Sequence, residues 1–154
     1  MAVTVLLTAS CAGTSEQPCP YQGEPDRALS AGCLTVVHGK MLVVDSRLGG
    51  LTPPGGKSRP GESAQCTAHR ETLEEAGLDL IPRELIRVFD TGFYLYACEI
   101  HAQSGAIAPD VLEVRRGFWL DISDFDTVKW RYPGQGEMLK SLLFPPAETE
   151  TQSN

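Results

Sequence analysis

The chain has 154 residues, 42% of them hydrophobic, enough for one domain with a core and too few to favour two. Its 13 basic and 20 acidic residues leave a formal net charge of -7, which argues against a duplex nucleic-acid binder held by phosphate contacts. An anionic small molecule fits that charge only where a cation mediates, and no apolar run reaches the ~18 residues that a membrane-spanning helix needs.

Residues 1–11 (MAVTVLLTASC) join a short apolar stretch to small residues, in the manner of an export or lipid-attachment segment, but lack a basic start. Cytoplasmic residence is the first expectation, with export or the cell envelope as the alternative if this segment acts as a signal. Residues 14–27 are polar and proline-bearing, so 1–27 reads as an irregular lead-in, 28–144 as the folded domain and 145–154 as a polar tail with no reason to order. Five cysteines without paired metal spacings indicate neither a zinc site nor a full disulfide framework, and most are read as ordinary thiols. Were the protein exported, Cys19 and Cys33 would be the expected pair.

Leu34-Thr35-Val36-Val37 and Met41-Leu42-Val43-Val44 flank His38-Gly39-Lys40 and predict a hairpin of two buried strands. Residues 51–61 (LTPPGGKSRPG), rich in proline and glycine, predict a loop. Ser63 is a natural N-cap and Gly77 a natural stop, which predicts a helix of about thirteen residues with Cys66, His69, Leu73 and Ala76 on its buried face. Strands are expected at 87–89, 93–100 and 116–120, and a second, amphipathic helix at 137–144. Sheet and helix alternate, an α/β chain.

Within the first helix Glu71, Glu74 and Glu75 stand at i, i+3 and i+4 and share one arc. Like charges so placed, in the last turns where the helix dipole favours cations, cost on the order of 1 to 3 kcal/mol together. Arg70 offsets part of this through its i+4 neighbour Glu74, but one arginine does not neutralise three glutamates. A divalent cation would, and carboxylate oxygens are the hard ligands that Mg²⁺ selects while bridging to substrate phosphates. The preceding Pro53-Pro54-Gly55-Gly56 is a backbone free of side-chain bulk, suited to close approach of an ion or a phosphate.

These residues spell Gly56-x5-Glu62-x7-Arg70-Glu71-Thr72-x-Glu74-Glu75-x-Gly77-Leu78, which resembles the box that defines the Nudix hydrolases, G-x5-E-x7-R-E-U-x-E-E-x-G-U with U bulky and apolar. All seven fixed positions match; Thr72 at an apolar position is the one departure. The resemblance implies a Nudix-type α/β/α sandwich around a central mixed β-sheet. It implies hydrolysis of a nucleoside diphosphate linked to another moiety, with water attacking phosphorus, assisted by Mg²⁺ or Mn²⁺. Carried over, it makes Glu74 and Glu75 the principal metal ligands, Glu71 a further ligand or base, the Gly55 carbonyl the backbone ligand, and Arg70 the residue that orients the glutamates. Glu62 would stand behind these ligands or at an additional metal. Glu113, six residues before Trp119, is the candidate for the later glutamate that many members use as base, with Glu99 the weaker competitor.

The resemblance leaves the substrate to residues after the box. Tyr94 lies near where family members acting on dinucleoside polyphosphates carry a tyrosine, and Phe93 and Tyr96 are equally available for stacking on a base. The proline associated with ADP-ribose hydrolysis has no counterpart near Tyr94, Pro82 being too early. Lys57, Arg59, Arg115 and Arg116 are candidates to meet phosphates. The partner implied is a small nucleotide diphosphate, and the resemblance is compatible with a homodimer, although no interface is legible. A Nudix-fold binding or regulatory domain without turnover is the competing reading.

Overall fold

In the computed structural model, which describes residues 17–101 and 114–145, the chain turns at His38-Gly39. Both residues have positive φ, 49° and 74°, the backbone that a two-residue hairpin turn requires. The turn joins β2 (Val36–Val37) to β3 (Lys40–Ser46), with Val36 opposite Met41. The hairpin is therefore real, but its first arm is short. Leu34 belongs instead to β1 (Ser30–Leu34), which lies in a different sheet. Thr35 makes the crossing: its hydroxyl donates to the Cys98 carbonyl at 3.0 Å, and its carbonyl accepts from the Leu42 amide at 3.0 Å.

The expected loop at 51–61 contains two short strands, β4 (Leu51–Thr52) and β5 (Gly55–Lys57). Glycine builds a strand here because two backbones touch. Gly55 pairs with Gly32 of β1, and a Cβ on Gly55 would lie 2.7 Å from the Ala31 carbonyl oxygen. Helix α1 (Ala64–Ala76) has the expected thirteen residues. Ser63 Oγ caps it by accepting from the Cys66 amide at 3.2 Å, and Gly77, at φ 69°, ends it by donating to the Leu73 carbonyl.

Strand β6 (Leu80–Val88) begins well before the expected 87–89 and includes Pro82. It is the edge strand of its sheet, where a missing N–H leaves no ladder bond unmade, and its register slips on either side of Leu85. Strand β7 (Phe93–Ile100) and strand β8 (Val114–Asp121) fall where expected, and α2 (Gln135–Leu143) starts two residues earlier than expected. One sheet runs β5-β1-β7-β6, mixed because β1 and β7 are parallel while the other pairs are antiparallel. The other centres on β3, with β8 pairing along it and β2 and β4 completing the sheet.

Consecutive residues enter opposite cores, as the pleat demands. Cys33, Leu42 and Tyr96 pack with Ala64, Ala68 and Ala76 of α1, whereas Leu34, Met41, Val43 and Leu95 pack with Leu139 of α2. The result is an α/β/α sandwich with α1 and α2 on opposite faces.

The cysteines are not free thiols among the described residues. Cys33 in β1 is joined to Cys98 in β7 inside the α1-side core, and Cys19 in the lead-in is joined to Cys66 of α1. The Cys19–Cys33 pairing expected for an exported chain is corrected: Cys33 points into the sheet core beside β7, so its neighbour is on the adjacent strand. The sequence signal for this was absent because the partners are 65 residues apart and meet only through a parallel strand pairing.

Candidate functional site

Helix α1 is turned differently from the simple two-faced expectation. Ala64, Ala68, His69, Thr72 and Ala76 are buried, Cys66 and Leu73 only half-buried, and Arg70 and Glu71 are themselves buried. Thr72, the departure from the apolar pattern, is fully buried; its hydroxyl is satisfied by donating to the Ala68 carbonyl one turn back at 2.8 Å. A polar residue thus takes an apolar place without leaving an unpaired group.

Arg70 is the centre of the acidic cluster, and its five N–H groups are all used. Nε and Nη2 clasp both oxygens of Glu62 at 2.8 and 3.0 Å, Nη1 donates to Glu71 at 2.8 Å and Glu74 at 2.9 Å, and Nη2 also donates to the Lys57 carbonyl at 2.9 Å. The expected i+4 pairing with Glu74 is present, and the buried guanidinium also draws in Glu71 and, from before the helix, Glu62. Arg59 adds a second cation at 3.1 Å from Glu74. Four carboxylates (Glu62, Glu71, Glu74, Glu75) against two guanidinium groups leave two negative charges.

Burial acts to raise the Glu62 carboxyl, but hydrogen bonds from Arg70, the Arg59 amide and Thr67 outweigh it and hold it down at about 2. Burial likewise disfavours the Arg70 cation, and Glu62 and Glu71 reverse that and raise it above its ordinary value. The Glu62–Arg70 pair is therefore ionised at neutral pH.

Glu75 faces the glycine turn and accepts from the Gly55 amide at 2.8 Å, and a Cβ on Gly56 would overlap the Glu71 carboxylate. Among the described residues no three His, Cys, Asp or Glu side chains converge on one point as a metal cage; the carboxylates turn to guanidinium and amide donors instead. The donor chemistry still suits a hard divalent cation. Glu71, Glu74 and Glu75 offer only oxygen, within one turn of helix, beside a cradle that admits no side chain at Gly55 or Gly56.

From Gly55 the surface opens into a cavity of about 470 Å³ on the α2 side. Its walls are mostly apolar and aromatic, with Phe89, Phe93, Leu95, Tyr132 and Met138 beside Ser30, Thr52, Arg131 and Gln135. Phe89 and Phe93 meet edge to face at 5.9 Å between ring centres. Gln135 ties the wall together, donating to Thr52 Oγ1 at 3.1 Å and accepting from the Tyr132 amide at 3.3 Å. Arg131 reaches Ser46 Oγ at 3.2 Å and lies 5.3 Å from the Tyr132 ring centre.

The structure thus brings together Gly55, Glu62, Arg70, Glu71, Glu74, Glu75 and Arg59, while the Lys57 side chain is exposed and only its carbonyl joins the cluster. Phe93 lines the cavity, but Tyr94, next along β7, packs on the α1-side core. Tyr96 is not available for stacking: it is buried, and its hydroxyl donates to Asp26 at 2.8 Å. Arg116 stacks over Phe118 at 4.5 Å, and Glu99 pairs with Arg83 on the exposed side of the sheet at 2.9 Å. Glu113 and the Arg115 side chain lie outside the described residues. Sequence reasoning missed Phe89, Arg131, Tyr132 and Gln135. The aromatic-rich run 130–135 before α2 was a signal of sorts, but only the fold shows that it faces the glycine turn across the cavity.

The NUDIX domain family model matches residues 26–142. An ADP-ribose pyrophosphatase from Streptococcus suis superposes with a TM-score of 0.64 at 22% identity, covering 75% of this chain and 89% of its own. A NUDIX hydrolase from Nitrosomonas europaea gives 0.59 at 21% identity over 76% of this chain and 87% of its own. An Ap4A hydrolase from C. elegans gives 0.55 at 20% identity over 74% and 95%. At these identities the likeness is one of fold. No curated protein sequence matches the chain.

Proposed function

Because the chain belongs to the Nudix family, we propose that it is a Mg²⁺-dependent hydrolase that cleaves the diphosphate linkage of a nucleoside diphosphate joined to another moiety. The observation that carries this reading is the carboxylate cluster held by Arg70, in which Glu71 lies against Gly56 and Glu75 accepts from the amide of Gly55, a residue that also lines the aromatic cavity. Glu71, Glu74 and Glu75, with the Gly55 carbonyl, would hold Mg²⁺ or Mn²⁺. Such an ion neutralises the diphosphate, polarises its P–O bonds and lowers the pKa of a bound water.

The chain's own part is positioning. Arg70 sets the carboxylate rotamers, Arg59, paired with Glu74, supplies a cation at the cluster for phosphate oxygens, with Lys57 a weaker candidate whose side chain is exposed, and the glycines let the phosphates approach the backbone. Phe93 and Tyr132 give the cavity flat faces for a base, supporting it ahead of Tyr94 as the stacking site. Glu113 is proposed as the general base. The two disulfide pairings favour an oxidising compartment over the cytoplasm.

The test is a panel of NTPs, oxidised dNTPs, dinucleoside polyphosphates, nucleotide sugars and CDP-alcohols with Mg²⁺, scored for release of a nucleoside monophosphate. Release that disappears in Glu75→Gln supports the reading. Ligand binding without release from any member would instead give a nucleotide-binding domain without turnover. Glu113→Gln should flatten the pH-rate profile, and unchanged kinetics would move the base elsewhere.

A further inference from the structure

Residues 19–27 contain no helix or strand, yet they hold the start of α1 from several directions. Cys19 is bonded to Cys66. Asp26 accepts from the Ala64 amide through its carbonyl at 2.9 Å, its own amide donates to Gln65 Oε1 at 3.0 Å, and its carboxylate accepts from Gln65 Nε2 at 2.9 Å. Arg27 donates to the Gly61 carbonyl at 2.8 Å. The stretch so gripped, 61–65, is the one that carries Glu62, and Glu62 in turn holds both nitrogens at one edge of Arg70.

We propose that segment 19–27 is a positioning strap for the carboxylate cluster, latched by the Cys19–Cys66 bridge, so that the cluster's affinity for a divalent cation depends on the redox state of that bridge. The cation site itself rests on the function proposed above. The route is a chain of contacts: Cys19–Cys66 and Asp26 fix the first turn of α1, that turn fixes Glu62, and Glu62 fixes Arg70 against Glu71 and Glu74. Between its ends the strap is held to α1 through the Glu24 carbonyl, which accepts from Gln65 Nε2 at 3.2 Å. A groove of about 490 Å³ lies between residues 20–23 and Ile81, Pro82, Arg83 and Glu84 of β6.

The two bridges differ in access. Cys33 and Cys98 are buried in the sheet core, whereas Cys19 and Cys66 are half-buried at the surface. A dithiol reductant that delivers two electrons and two protons converts Cys19–Cys66 to two thiols while closing its own disulfide, and it reaches this bridge first. Loss of the latch leaves the hydrogen bonds of Glu24, Asp26 and Arg27 to hold the strap.

The experiment uses the full-length oxidised protein. Stepwise dithiothreitol under native conditions, followed by alkylation and peptide mass mapping, is expected to label Cys19 and Cys66 before Cys33 and Cys98, and limited proteolysis then to cut within 19–27. Mn²⁺ affinity, read by water proton relaxation, is expected to weaken by about tenfold, at the low end of what residues behind metal ligands contribute. The Cys19→Ser/Cys66→Ser variant should reproduce the weakening without reductant, and Asp26→Asn should weaken binding with the bridge intact. Opening of Cys33–Cys98 first, or Mn²⁺ binding by the double-serine variant as tight as in oxidised wild type, would overturn the strap. Oxidised wild type that binds no Mn²⁺ would instead overturn the metal site on which it acts.

Discussion

Replacing Glu62 with glutamine keeps the shape of the side chain and removes its charge from the most heavily bonded carboxylate of the site. That carboxylate accepts from Arg70 Nε at 2.8 Å and Nη2 at 3.0 Å, from the Arg59 amide at 2.9 Å and from Thr67 Oγ1 at 2.9 Å. Its pKa is held at about 2 against an ordinary 4.5, a displacement worth about 3 kcal/mol at about 1.4 kcal/mol per tenfold change in proton affinity. The side chain keeps 14% of its surface in water, so screening lowers the expected contribution to about 1.5–2.5 kcal/mol. Because the folded value lies below the unfolded one, this stability is present above about pH 4.5 and is lost as pH falls towards 2. Urea unfolding of wild type and Glu62→Gln should therefore differ by about 1.5–2.5 kcal/mol at pH 7, with a melting-point gap of about 4–8 °C. The gap should narrow steadily below pH 4.5. A gap that is equally wide at pH 3 and pH 7 would refute the ionic account of the clamp and leave only packing.

Gly56→Ala should displace the buried Glu71 carboxylate, lose its Arg70 bond and lower kcat/KM by about 10- to 100-fold, with Tm and kinetics measured together. Glu75→Gln should reduce kcat by about a thousandfold or more with little change in Tm, since the amide oxygen still accepts from Gly55. Glu74→Gln should cost up to about 1 kcal/mol of stability rather than gain it, because Arg70 and Arg59 both lean on that carboxylate; urea unfolding reads the sign. Phe93→Ala should raise KM about tenfold with kcat less affected if a base stacks there, as steady-state rates on the best panel substrate will show.

Features whose cause is local could be read from residues alone. Ser63 and Gly77 bound the helix because each satisfies or closes its end with its own atoms, and His38-Gly39 turns the chain for the same reason. Glu71, Glu74, Glu75 and Arg70 were legible as a group because helical spacing places them together. What Arg70 does with Glu62 was not, since Glu62 stands before the helix and meets the guanidinium only through the approach of the 57–62 segment. Strand β6 hid behind Pro82, whose strand-breaking signal applies to interior strands and not to an edge. The cavity was least legible, because its walls come from β1, β4, β6–β7 and the entry to α2, and no single segment carries its pattern.

The strand order also bears on how fast the chain reaches this state. β1 finds its parallel partner only in β7, and β3 pairs along β8 so that Lys40 faces Asp121. Both sheets thus depend on pairings distant in sequence, whose loop-closure entropy is spent before any contact rewards it, and domains of this kind fold on roughly the millisecond-to-second scale. Cys33 and Cys98 come together only after β1 and β7 have met, so oxidation before that pairing favours wrong partners. Recombinant yield should accordingly depend on thiol–disulfide exchange during refolding, and less on how quickly α1 forms.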